Sequence, residues 1–243
     1  MLKLGSVRDF PEVFAARRLQ AVLTDDELAA WPEVTGFYGQ RDWLLRRLLL
    51  KDLASAWLGS NHRRYVPANA LEVRETPGGF ALYALLVSRE APVLHARCAT
   101  DGEVGVALVA PDLGSARFGL KLRRIARTYP FLVDARLTAG EEALLRAQSE
   151  SELDTAATLL VTAKRLCAEL LPEVTDPEAM AVQHIDGDDR VYFDRERLVL
   201  PAPLDGALFQ SWHWDDYVIV AGLLFETDRC DHGFDPFSLF QWV

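Results

Sequence analysis

The sequence predicts an α+β protein of two lobes, each a long helix lying on a small antiparallel sheet. Three observations carry this. Two stretches, 41–58 and 159–171, repeat apolar residues with helical spacing; each is followed by short β-prone runs; and the runs are separated by Gly, Pro and Asp turns. The predicted order is long helix, strands, long helix, strands.

Taking the elements in turn, Thr24-Asp25-Asp26-Glu27 reads as a helix start, with a hydroxyl cap and acids in the first turn. From Arg41 to Leu58, basic residues sit between apolar turns of a long amphipathic helix that Gly59 is expected to end. Leu71–Arg74, Phe80–Val87 and Val104–Val109 then read as strands, parted by Pro77-Gly78-Gly79 and Asp101-Gly102-Glu103. Residues 116–129 are basic and read as helical or irregular. Thr138 with Glu141 three residues on forms a capping box that starts another helix. In the stretch 159–171, Leu159, Leu160, Ala163, Leu166, Cys167, Leu170 and Leu171 make one apolar face, opposite Lys164, Arg165 and Glu169. The segments 179–191, 191–199 and 216–224 return to strand spacing.

Composition narrows the function. At 243 residues, half of them hydrophobic, the chain can bury a sizeable core as one compact two-lobed unit, 1–110 and 111–243. A net charge of −10 argues against general nucleic-acid binding. No apolar run reaches the length of a membrane span and no signal peptide is evident, so a cytoplasmic protein without a membrane partner is expected. Cys98, Cys167 and Cys230 are too far apart for a Cys-x-x-Cys metal site. Basic residues cluster at Arg41, Arg46, Arg47, Lys51, Arg63 and Arg64 and again from Arg117 to Arg127, an arrangement that suits a small polyanion. Asp186-Gly187-Asp188-Asp189 reads as a hairpin turn, and Trp212-His213-Trp214 and Cys230-Asp231-His232 read as packed or surface residues. The aromatic stretch from Phe234 to Val243 either folds back over the core or binds a partner.

Three motifs, in order, resemble the 4'-phosphopantetheinyl transferases of the surfactin-synthetase type, associated with polyketide and fatty-acid synthases. Trp43-Leu44-Leu45-Arg46-Arg47 with Lys51-Asp52 looks like that family's N-lobe helix. Val104-Gly105-Val106 looks like the start of its Val-Gly-Val-Asp-x-Glu strand, and Thr162-Ala163-Lys164 like its Trp-x-Ala-Lys-Glu helix. The resemblance implies a two-lobed pseudodimer and transfer of phosphopantetheine from coenzyme A to a carrier-protein serine with magnesium. It also implies catalytic roles at Lys164, Arg165 and Glu141, and coenzyme A contacts at Arg46, Arg47, Lys51 and Arg89, with His95 as a shifted alternative to Arg89.

The family's three metal-ligand positions fall on Ala107, Val109 and Arg165, none of which can hold a hard cation. No metal ligand is therefore assigned. No cofactor is expected, with coenzyme A and magnesium needed only if transferase activity survives, either with a metal held by Asp112, Glu141 and water or with Arg165, Lys164 and Arg89 neutralising the diphosphate without one. Arg165 and Glu169 resemble an inverted copy of the family's Glu and Lys pair. The expectation is an inactive relative that binds an acyl or peptidyl carrier protein or a synthase subunit. The alternatives are an active holo-carrier-protein synthase with relocated or no metal ligands, and a cleft reused for another reaction on a carrier-bound acyl chain.

Overall fold

The structure, a computed structural model, describes residues 1–14, 18–31, 36–63, 65–87, 90–125, 136–176, 178–228 and 235–243. The chain forms two compact units, Met1–Leu113 with Phe237–Val243, and Gly114–Pro236. The boundary thus falls three residues later than the expected 110/111, and the last seven residues belong to the first unit.

In the first unit, strand β1 (Leu2–Ser6) is followed in the described residues by a single helical turn (Pro11–Phe14), helix α1 (Asp25–Ala30), the long helix α2 (Phe37–His62), and strands β2 (Leu71–Thr76), β3 (Gly79–Ala84), β4 (Leu94–Asp101) and β5 (Val104–Ala110). The second unit repeats the sequence of elements: β6 (Arg117–Arg124), α3 (Ala139–Arg146), α4 (Leu153–Leu170), β7 (Val182–Ile185), β8 (Arg190–Phe193), β9 (Gly206–Trp214) and β10 (Tyr217–Phe225). Among the described residues each unit has a five-stranded antiparallel sheet, ordered β1-β5-β4-β3-β2 and β6-β10-β9-β8-β7. The first strand of each unit therefore lies beside its last, and the strand order is the same in both.

Each long helix crosses its sheet where two glycines face one another. Gly5 pairs with Gly105 and Gly119 with Gly222. A methyl group at Gly105 would come within 2.7 Å of Leu49, and one at Gly119 within 2.6 Å of Leu166. The missing side chains let the helix sit close, and leucine fills the space. In α2 a second apolar face, Leu44 and Leu48, packs against Val13, Val22 and Leu23, which accounts for its nearly continuous leucine run. Helix α2 passes through Gly59 and ends at Arg63, whose left-handed backbone (φ 52°) lets its N–H bond the Gly59 carbonyl at 3.1 Å. Strands β5 and β10 are buried along almost their whole length, as their unbroken apolar sequences require.

Three strands depart from the sequence reading. Residues 117–124 form strand β6, not a helix or irregular segment, and β1 and β4 were not anticipated as such. The acidic turn 186–189 closes the β7–β8 hairpin: the Asp186 carboxylate accepts the N–H groups of Asp188 and Arg190 and the Tyr192 hydroxyl, at 2.9–3.0 Å. The aromatic end folds back, with the Gln241 carbonyl accepting the Leu2 N–H at 2.8 Å and Val243 N–H donating to the Leu2 carbonyl at 3.0 Å.

Candidate functional site

Glu141 is the acid of the α3 capping box: Thr138 Oγ1 accepts its N–H at 3.3 Å, and its Oε2 accepts the Thr138 N–H at 2.8 Å. The same Oε2 takes Lys164 of α4 at 2.9 Å, while Oε1 accepts the Val182 N–H of β7 at 3.0 Å. Lys164 also donates to the Arg136 carbonyl. Lysine and glutamate are both buried, so one carboxylate ties together a helix start, the long helix and an edge strand. Every oxygen that Glu141 could offer a metal or a proton is already engaged by these donors. Two of the three residues expected as catalytic groups, Lys164 and Glu141, are joined in this brace.

The first unit contains the same brace. Glu27 closes the α1 capping box with Thr24, accepts Lys51 of α2, and takes the Val73 N–H of β2 at 3.1 Å. Lys51 is 0 % exposed and donates also to the Val22 carbonyl at 2.8 Å. Burial holds its pKa below the ordinary lysine value, against the pull of Glu27. Arg47, one turn earlier and 7 % exposed, adds a second cation, 3.6 Å from Glu27 and 3.9 Å from Glu75, and lies 3.5 Å over the Trp43 ring. Among the described residues its Nε and Nη1 have no hydrogen-bond partner. Lys51 and Arg47 are thus held inside the first unit, not presented to coenzyme A. Arg46 reaches the other way, to Asp42 and Thr100. Arg89 lies outside the described residues, as do Ser88, Arg64, Arg127 and Cys230-Asp231-His232.

Arg165 has a different setting. It follows the buried lysine, points away from the core and is exposed. Along the β6 side of α4, cations and acids match: Arg117 bonds Glu173 at 2.7 and 3.0 Å and the Leu170 carbonyl at 2.9 Å, and Lys121 bonds Glu169. Glu169 therefore pairs across to the strand, not along the helix to Arg165 as the sequence suggested. At the next rung the strand supplies Arg123 and the helix supplies Arg165. Burial and then the like charge of Arg165 hold the Arg123 pKa below the usual arginine range. The residue after the first unit's buried lysine is Asp52, which pairs with Lys3 of β1. The two units carry opposite charge at this place.

The chain matches no family profile and no curated protein.

Ala107 and Val109, at two positions where the resembled family holds its metal, are completely buried on the β5 face toward α2. Among the described residues, no group of three or more His, Cys, Asp or Glu is placed to hold a metal ion. His95 lies on β4 opposite Ala110. Sequence reasoning missed Glu27 as a second copy of Glu141. The signal was present: a Thr-x-x-Glu box with a lysine 24 residues after the glutamate in one unit and 23 in the other. Arg165 is exposed, with the half-buried Arg123 beside it, and an exposed guanidinium is a feature that suits an anion or an acidic surface.

Proposed function

We propose that the protein is a phosphopantetheinyl-transferase-like binding protein, a two-lobed pseudodimer in which the transfer chemistry is lost. It captures a carrier protein or synthase subunit through the basic side of α4. The single observation that carries the reading is the fate of the three ligand positions: a methyl and an isopropyl group inside the β5 core, and an exposed guanidinium beside a second one. A magnesium ion needs oxygen ligands, and two arginines repel it. Lys164 and Glu141 support the same reading, because a lysine and a carboxylate locked in a buried pair are unavailable to accept or donate a proton during turnover. What remains competent is recognition of negative charge at Arg165, and an acidic partner surface is the fitting counterpart.

The test is intact-mass spectrometry of a panel of apo carrier proteins incubated with the protein, coenzyme A and magnesium, alongside an active transferase as positive control. The expected outcome is no phosphopantetheine mass increment. An increment would establish an active transferase and overturn the loss of chemistry.

A further inference from the structure

Strands β8 and β9 are neighbours in the second sheet but pair only at Arg190 with Gln210 and Val191 with Phe209. Beyond that point they part. Tyr192 and Phe193 stay with β7, whereas Gly206, Ala207 and Leu208 stay with β10. The connection 194–205 spans the mouth of this fork and returns Leu198 and Leu204 to the core. A cavity of about 350 Å³ remains, lined by both prongs and by the connection. That volume lies at the small end of the range occupied by ligand sites, roughly 300–1,000 Å³.

The chemistry of its walls is uneven. Val191, Phe193, Leu198, Leu204 and Phe209 give an apolar interior, while the charged side chains on it are Arg190, Arg195 and Asp205. Asp205 is committed elsewhere: its two oxygens accept the Thr227 N–H and hydroxyl, both at 2.6 Å, and these bonds hold its carboxyl below the usual range. Arg190 lies 4.0 Å from Asp188. Arg195 is exposed and makes no ion pair among the described residues. A net positive rim beside apolar walls favours a ligand with the opposite arrangement.

We infer that the fork between β8 and β9 binds a small monocarboxylate with a compact apolar body, its carboxylate at Arg195 and its body among Val191, Leu198, Leu204 and Phe209. The site lies wholly inside the second unit and is independent of the partner surface at Arg165.

The experiment is a titration of the full chain with octanoate, followed through backbone amide shifts by NMR. Saturable one-site binding with shifts centred on Tyr192, Phe193, Ala207 and Leu208 is expected. Octanol, which keeps the body and lacks the charge, should bind about tenfold more weakly, as should octanoate with Arg195→Ala, the scale of one charge-assisted contact. Leu200→Trp, which fills the space from the connection, should abolish the shifts. No saturable response up to about 5 mM, a dissociation free energy near 3 kcal/mol, would overturn the inference. Equal affinity for octanol, or unchanged octanoate binding in Arg195→Ala, would overturn it as well. Arg195 is exposed, so its variant reads binding without disturbing the fold.

Discussion

Four residues before its buried lysine, the first unit carries Arg47 and the second carries Leu160. The second unit therefore sets one cation against one carboxylate, whereas the first crowds two cations around Glu27 and leaves two guanidinium nitrogens without hydrogen bonds. A second difference sits one residue after the lysine, where Asp52 is tied to Lys3 but Arg165 stands beside Arg123. Since both units place a long helix over a sheet of the same order, the shared part, Thr-x-x-Glu with lysine and an edge-strand N–H, is what the fold requires. The parts that differ are available for function, and the exposed cation among them is Arg165.

The largest expected effect comes from removing the lysines. Lys164→Met leaves Glu141 charged and dry, and should cost about 3–5 kcal/mol in urea unfolding. Lys51→Met should cost less, by about 1 kcal/mol, because Arg47 remains within reach of Glu27. Equal costs in the two units would show that Arg47 does not share the carboxylate.

Exchanging the differing residue sharpens the contrast. Leu160→Arg places a second cation in the well-packed core of the second unit and should destabilise it by about 3 kcal/mol. Arg47→Leu should be neutral or stabilising by about 1 kcal/mol, since it removes a buried charge whose hydrogen bonds are incomplete, although the contact with Trp43 is lost. Denaturant midpoints of the two variants measure both.

A smaller effect concerns Cys167, buried on the core face of α4, where burial pushes the thiol up to about 12. The native state then holds this proton where the unfolded chain, near the ordinary thiol value of 9.0, releases it. Stability from this group is full below pH 9 and declines as pH rises from there toward 12. Cys167→Ala should flatten that part of the stability–pH curve. In the native wild type, Cys167 should resist alkylation at pH 8, as peptide mass mapping would show.

Much of the fold was legible because helical spacing and turn residues are local signals. The Leu-rich 41–58 and 159–171 stretches are helical, the first running on past Gly59 to His62, and the Thr138 box and the Asp186 hairpin appear as read. Strand β6 was not, because its alternation puts Arg117, Lys121 and Arg123 on the side facing α4, where acids and a like-charged arginine meet them, and its middle is a glycine chosen for helix approach. Strand β4, Leu-His-Ala-Arg-Cys-Ala-Thr-Asp, has few β-branched residues and is a strand because β3 and β5 pair with it on either side. At the site, motif spacing located Lys164 and Arg165 but gave them one role. They are adjacent on a helix, which turns one inward to Glu141 and the other outward, and only the positions of α3 and β6 separate a buried brace from an exposed cation.

The most direct test of that separation is calorimetric titration of an apo acyl carrier protein into the wild-type protein and Arg165→Glu. The account predicts saturable binding to the wild type, weakened about tenfold by the charge reversal at low salt, with the difference shrinking as added salt screens the exposed charge. Equal binding by both proteins, or none by the wild type, would contradict it.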